Sequence, residues 1–343
     1  MNLANKYRPR TLDDVVEQKL VVQMVSALCE QPELANRNFL FTGSAGVGKT
    51  TICRCIANLL NEGKGEPIEI DAASNGSVDA IRKIVEQSRA YPVGCKYKIF
   101  IVDEVHAISS AGWSSFLKCL EESPAKTVFL FATTNPEKIP ATILSRVQVF
   151  QLSKISLQGI HDRLVHVIQE ENKSGRNIEY DDAAILFLAK LANGGMRDAL
   201  TLLDKALAYS TSITTFSVTA ALNLPKYDDY FSLLGSYAKR DNSAIANLID
   251  RVYNSGVNFV KWFEGFHGFV IQILKYIYLQ DINRTTIPPQ YSDKLLSYGV
   301  KHANVCLKLA NTLVKLNDEL RTTQYLQEFA LTYLCSVNRE GAK

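Results

Sequence analysis

The stretch with the most chemical content is "GSAGVGKT", positions 43–50. It fits the spacing G-x-x-x-x-G-K-[ST] and lies between an apolar run and an amphipathic segment, the strand-to-helix context that a phosphate loop needs. Gly43, Gly46 and Gly48 let the backbone curl so that successive N–H groups point inward at phosphate oxygens, with Ser44, Ala45 and Val47 between them. Lys49 is placed to reach the β- and γ-phosphates, and the hydroxyl of Thr50, followed by Thr51, is placed to take one Mg²⁺ position. The helix that starts there presents its positive N-terminal end to the same anion. A glycine-rich turn that binds nothing is the bland alternative; strand, full motif and helix together argue against it.

A second chemical pair sits in "KIFIVDEVH", positions 98–106. Four apolar residues carry the chain through a sheet and deliver Asp103 and Glu104 at the strand's C-terminal end, where open α/β sheets bind ligands. Asp103 is expected to complete the Mg²⁺ shell with Thr50, and Glu104 to polarise an attacking water. Read alone, such a pair fits a helix cap or a solvated turn. Beside a phosphate loop the catalytic reading prevails.

The elements that must position these groups alternate. "NFLFTG" (38–43), "PIEIDA" (67–72), "KIFIVDE" (98–104), "TVFLFATT" (127–134) and "VQVFQL" (147–152) read as buried strands, with helical segments near 49–61, 77–90 and 109–122 between them. This order predicts an α/β domain with a parallel sheet over residues 1–154. From about residue 155 the strand signals stop. "SLQGIHDRLVHVIQEEN", "DDAAILFLAKLANG" and "GMRDALTLLDKALAYS" predict a small helical domain over 155–223. Residues 224–343 predict an all-α domain, in which Leu309, Leu313, Leu316 and Leu320 share one helix face.

Bulk properties narrow the class little further. The chain has 343 residues, 47% hydrophobic and 21% charged, with a formal net charge of +3 and no basic block, so charge neither shows nor excludes nucleic acid. No apolar run has the length of a membrane span and "MNLANKYRPR" has no signal-peptide core, so the expectation is a cytoplasmic protein without a membrane partner. The seven cysteines include no C-x-x-C pair and read as reduced packing residues. Cys53 and Cys55, two apart, are expected on different sides of their helix.

The set "KYRPRTLDDVVEQ" (6–18), "GSAGVGKT", "EIDAAS" (69–74), "VDEVHAIS" (102–109), "FLKCLEESP" (116–124), "ATTNPEKIPATILSR" (132–146) and "GGMRDAL" (194–200) resembles the AAA+ clamp loaders. It is most similar to the ATP-hydrolysing gamma/tau subunits of the bacterial DNA polymerase III type. The resemblance implies an AAA+ nucleotide-binding domain, a helical lid and a helical oligomerisation collar, with ATP and Mg²⁺ as the bound species. It also implies roles. Tyr7, Arg8 and Pro9, with Val15 and Val16, match the adenine-contacting N-terminal box. Thr134 matches sensor 1, and Arg197, preceded by Met196, matches sensor 2 on the lid. Arg146 matches the arginine finger, which in clamp loaders addresses the ATP of the adjacent subunit; the cysteine usual after it is Val147 here. Each has a plainer alternative: a strand-end hydroxyl for Thr134, a solvated helix-start arginine for Arg197, a surface ion pair for Arg146.

By the same resemblance, DNA phosphates would meet two helix starts, Asn75, Gly76 and Ser77 and Ser109, Ser110 and Ala111, with Arg82 further in. Ordinary helix capping by Ser77 and Ser109 is the alternative. Implied partners are other clamp-loader subunits in a pentameric spiral, a ring-shaped sliding clamp and primer-template DNA. Two departures stand out. The four-cysteine zinc module usual after the phosphate-loop helix is replaced by "CRCIANLLNEGKGEPIEIDAAS", so no structural zinc is expected. No long extension follows the collar, so a minimal gamma-type subunit, from a phage or a divergent source, is the expectation. A branch-migration helicase of the same fold and a non-hydrolysing scaffold are the competing readings.

Overall fold

In the computed structural model the described residues are 2–31, 38–122, 126–224, 227–288, 291–297 and 302–340, so the last two residues of "FLKCLEESP" lie outside them. Five parallel strands form one sheet: β1 (Phe39–Thr42), β2 (Ile68–Asp71), β3 (Lys98–Asp103), β4 (Thr127–Thr133) and β5 (Gln148–Gln151). Their spatial order is β2-β3-β4-β1-β5, with every neighbouring pair parallel. All five strands coincide with predicted ones.

Period-two alternation divides the sheet's side chains between two cores. Phe39, Phe41, Ile99, Ile101, Val128 and Leu130 pack with the helix Lys49–Leu60 on one face. Leu40, Phe100, Val102, Phe129 and Phe131 pack with the helices Val78–Ser88 and Ser110–Glu122 on the other. Phe116 meets Phe129 and Phe131 edge-on at 5.5 and 5.6 Å. The expectation of five buried strands is too broad, because β2 and β5 are the sheet edges. In β2 the residues alternate between half-buried and exposed, and in β5 only Phe150 is buried. Edge position, which composition does not encode, removes the second covering layer.

The register brings the strand ends level. Thr42 of β1 pairs with Thr133 of β4, and Asp71 of β2 with Asp103 of β3. The phosphate loop, the acidic pair and Thr134 therefore leave the sheet at the C-terminal ends of its strands, with β4 between β1 and β3.

The chain clusters into two compact units, one running to Tyr180 and including Leu188–Thr211, the other comprising Asp181–Phe187 and the chain from Ser212 onward. The first unit adds the helices Leu157–Lys173 and Met196–Tyr209 to the α/β sheet. Strands do not end altogether at 155, since two-residue strands occur at Glu179–Tyr180 and Ser212–Ile213. The second unit is helical from Thr215 onward among the described residues. Its core joins the helices Phe259–Leu279 and Ala303–Leu320, and Leu309, Leu313, Leu316 and Leu320 are all buried, as their spacing predicts.

Candidate functional site

The glycines adopt the backbone their loop requires. Gly43, Gly46 and Gly48 have φ of +143°, +74° and +108°, a region costly for residues with a Cβ. A Cβ on Gly43 would lie 2.7 Å from the Leu152 carbonyl oxygen, so glycine is needed there for space as well. Gly48 then caps the helix Lys49–Leu60, whose first residues face the same cleft. Lys49 is 7% exposed, and its ammonium donates to the carbonyls of Gly43 and Ser44, each at 2.9 Å. Burial lowers its pKa, and Glu104 and Asp103 act against that shift. A desolvated cation whose hydrogen bonds, among the described residues, go to neutral carbonyls is well suited to an incoming phosphate.

Opposite it, the Thr50 hydroxyl donates to Asp103 Oδ2 at 2.6 Å. A hydroxyl and a carboxylate brought together are the hard oxygen donors that Mg²⁺ prefers, so the chemistry of these residues fits the ion their motif implies. Glu104 follows with φ +47° and ψ +44°, left-handed backbone that turns the chain off β3 into the short turn Val105–Ala107. Its Oε2 accepts from the Thr134 hydroxyl at 3.1 Å and the Thr134 N–H at 3.4 Å, and lies 3.2 Å from His106 Nδ1. His106 Nδ1 is also 3.1 Å from Thr133 Oγ1, a fully buried hydroxyl. Glu104 and Thr134, thirty positions apart in the chain, thus form one unit.

A single cleft is lined by Tyr7, Arg8, Pro9, Val15 and Val16, by the loop from Ala45 to Thr51, by Asp103 and Glu104, and by Met196 and Arg197. The N-terminal box and the sensor-2 pair meet at the phosphate loop despite nearly two hundred intervening residues. Backbone contact explains part of this. The N–H groups of Met196 and Arg197, at the start of their helix, donate to the Gly46 carbonyl at 2.9 and 3.4 Å. A Cβ on Gly46 would lie 3.2 Å from the Gly195 Cα, so the approach depends on glycine on both sides. Burial lowers the Arg8 pKa, with the charges of Arg54 and Arg197 adding to the shift and that of Glu69 opposing it.

Residues that sequence reasoning missed also line it: Ala4, Ile155, Arg163 and Leu200. Arg163 donates to the Tyr7 carbonyl at 3.0 Å, and burial lowers its pKa. It lies mid-helix with no motif around it, so no signal marked it. His106 was visible in "DEVH" but carried no expected role.

Arg146 does not line the cleft. Its guanidinium donates to Glu121 Oε1 at 2.6 Å and to the Thr142 carbonyl at 2.7 Å. The surface ion pair considered as its alternative is therefore present, with both partners partly solvated. At the candidate DNA surface, the Ser109 N–H donates to the Gly76 carbonyl at 3.3 Å, which sets the two helix starts side by side. Ser77 Oγ accepts from the Ala80 N–H, Ser109 Oγ from the Gly112 N–H, and Asn75 donates to the Asp71 carbonyl. The Ser110 and Ala111 carbonyls accept from the hydroxyls of Ser114 and Ser115, and Arg82 is exposed beside Asp79. Cys53 and Cys55 are both buried, because their helix is covered by the sheet on one side and by the 9–11 segment on the other.

A parallel five-stranded sheet with a phosphate loop, an acidic pair ending β3 and a following helical lid defines the AAA+ class of P-loop ATPase folds. The Thermotoga maritima RuvB Holliday junction branch migration motor superposes with a TM-score of 0.51 at 20% identity, covering 67% of this chain and 78% of that one, a likeness of fold. Residues 61–156 match the family described as DNA polymerase III, delta subunit, and residues 159–212 the DNA polymerase III clamp loader subunit, ATPase lid domain. The DNA polymerase III subunit gamma of Buchnera aphidicola subsp. Schizaphis graminum is 32% identical over 298 residues, which is 80% of this chain and 78% of that protein. The tau subunit of Salmonella typhimurium is 34% identical over 279 residues, 74% of this chain and 42% of that protein. The chain belongs to the DNA polymerase III gamma/tau family of clamp-loader subunits. It spans less than half the length of the tau subunits of Salmonella typhimurium and Escherichia coli that it matches.

Proposed function

We propose that this chain is an ATP-hydrolysing subunit of a loader that opens a ring-shaped sliding clamp and sets it on primer-template DNA during replication. The observation that carries the reading is the pair of hydrogen bonds Thr50–Asp103 and Glu104–Thr134, of whose members Thr50, Asp103 and Glu104 line the cleft. A non-hydrolysing scaffold has no need of a base tied to a sensor. Family membership favours the loader over a branch-migration motor, which shares the fold alone.

ATP would lie with its base against Tyr7, Arg8, Pro9, Val15 and Val16 and its phosphates along the phosphate loop, whose residues 45–51 line the cleft. Lys49 would exchange its two carbonyl partners for phosphate oxygens, a small movement for a side chain already at the site. Mg²⁺, held by Thr50 and Asp103, supplies charge neutralisation for the phosphates when bound. Glu104 would draw a proton from the attacking water, once Thr134 turns its hydroxyl from Glu104 to the terminal phosphate. Arg197 contributes charge from the lid. Arg146, outside its own cleft, would serve the ATP of the neighbouring subunit, which ties hydrolysis to alignment in a spiral, by family analogy a pentamer. Clamp and DNA are the remaining partners, in the cytoplasm of a bacterial or phage-infected cell.

DNA contact through the paired helix starts is part of the proposal. The adjacency of Gly76 and Ser109 supports it, since two helix N-termini side by side reinforce each other's attraction for phosphate. Residues 155–223 are read as the lid and 224–343 as the collar.

The test is steady-state ATP hydrolysis with the cognate clamp and primed DNA, alone and together with the other loader subunits. The rate should rise when both are added. A rate indifferent to clamp and DNA would remove the loading role and leave an ATPase of another kind.

A further inference from the structure

The N-terminal segment that walls the cleft is held by a buried carboxylate distant in sequence. Glu171, in the helix Leu157–Lys173, is 2% exposed. Its Oε1 accepts from Lys6 Nζ at 2.5 Å and from the Tyr7 hydroxyl at 2.7 Å, and its Oε2 lies 3.2 Å from Arg176 Nε. Two hydrogen bonds and an ion pair with Arg176 around one buried carboxylate offset the cost of removing its charge from water. Burial acts to raise the Glu171 pKa, yet the bonds from Lys6 and Tyr7 bring it below the ordinary glutamate value; burial and Glu171 together push the Tyr7 phenol up to about 12.

Tyr7 is gripped at both ends. The same helix supplies Arg163, two turns earlier, to the Tyr7 carbonyl at 3.0 Å. Upstream, the Leu3 N–H donates to Asp204 Oδ2 at 2.7 Å, on the helix Met196–Tyr209 that also carries Arg197. Downstream the partners change. Cys55 lies 3.6 and 3.3 Å from the Pro9 and Thr11 carbonyls, and Asn58 Nδ2 donates to the Arg10 carbonyl at 3.2 Å. Residues 3–7 are thus fastened to the two lid helices and residues 9–11 to the helix that follows the phosphate loop. Only Arg8 lies between the two sets of anchors.

We infer that Glu171 is a positioning residue of the nucleotide site: through Lys6 and Tyr7 it holds the base wall of the cleft in place from the lid. Glu171 does not itself line the cleft, and Tyr7 does. A wall fixed before binding saves the ordering cost that a loose segment would take from affinity. The consequence is specific. Loss of Glu171 should weaken contact with the base and leave the phosphate end, built on residues 43–50, unaffected.

The inference rests on the cleft's being a nucleotide site, and the experiment separates the two. Wild type, Glu171→Ala, Glu171→Gln and Tyr7→Phe are titrated calorimetrically with ATP and with inorganic tripolyphosphate, both with Mg²⁺, and KM and kcat are measured. Glu171→Ala should weaken ATP binding roughly tenfold, the scale of a lost charged hydrogen bond. Tripolyphosphate affinity should stay within about twofold, and KM should rise with kcat little changed. Glu171→Gln keeps an acceptor for Tyr7 and should recover part of the affinity, and Tyr7→Phe should show a smaller loss confined to ATP. Should Glu171→Ala fail to fold, the Gln and Phe variants carry the same comparison. Equal losses for ATP and tripolyphosphate, or none for ATP in any variant, would overturn the positioning role. Wild type that binds neither ligand would instead overturn the nucleotide-site reading.

Discussion

Arg146→Ala sets two magnitudes against each other. In the folded subunit the guanidinium bonds Glu121 and the Thr142 carbonyl, with side-chain exposures of 33% for Arg146 and 46% for Glu121. A pair this solvated contributes at most about 1 kcal/mol, so fold and melting temperature should change little. The side chain is absent from the lining of its own cleft, so ATP affinity should hold within about twofold. An arginine offered to the transferring phosphoryl group of a neighbour is worth roughly 10³–10⁵ in rate, or about 4–7 kcal/mol of transition-state stabilisation. The assay pairs calorimetric ATP binding with hydrolysis by the assembled loader in the presence of clamp and primed DNA. Arg146→Ala should bind and not turn over. Mixing it with Lys49→Ala should restore part of the rate wherever the two chains are neighbours, because each supplies what the other lacks. Loss of ATP affinity comparable to the loss of rate would show that Arg146 serves its own nucleotide, and unchanged turnover would remove it from the reaction.

Glu104→Gln should keep ATP binding and lower the single-turnover hydrolysis rate by roughly 10²–10⁴, the range for losing a general base; normal turnover would exclude that role. Gly46→Ala places a Cβ at φ +74° and 3.2 Å from the Gly195 Cα, so about 1–2 kcal/mol of backbone strain should lower the melting temperature by several degrees. An unshifted melting curve would refute the close approach of loop and lid. For pH, the Tyr7 pKa is raised to about 12, so its stabilisation is complete below the ordinary tyrosine value of about 10 and is lost as pH climbs toward 12. The melting-temperature gap between wild type and Tyr7→Phe should be flat in neutral solution and close over that alkaline window; a gap that closes near neutrality would contradict the bond to Glu171. Glu171 has the opposite sign: its pKa is lowered, so its contribution is present above the ordinary glutamate range and fades as pH falls below it.

The features legible in the sequence are those whose physics is local. "GSAGVGKT" declares its function because glycine backbone freedom, the lysine and the hydroxyl lie within eight consecutive residues, and the structure puts them at one turn. Asp103 and Glu104 were legible because an apolar strand must end where they begin. Thr134, Arg146 and Arg197 came from family resemblance, since a lone threonine or arginine has no local signature.

The rest was decided by tertiary structure, because hydrogen bonds and desolvation depend on which distant segments meet. Identical-looking apolar runs became central or edge strands according to their place in the order β2-β3-β4-β1-β5. Cys53 and Cys55 are both buried because two different layers cover their helix, which no periodicity could announce. Glu171 is the clearest case. In sequence it is one carboxylate in a helix with an exposed polar face; in the fold it meets Lys6 and Tyr7, more than 160 positions away, and becomes a buried anchor. The sequence by itself determined the chemistry available at the phosphate end. Only the fold determined what ties the other end of the cleft to the rest of the molecule, because the ties from Glu171, Arg163, Asp204, Cys55 and Asn58 are all long-range contacts.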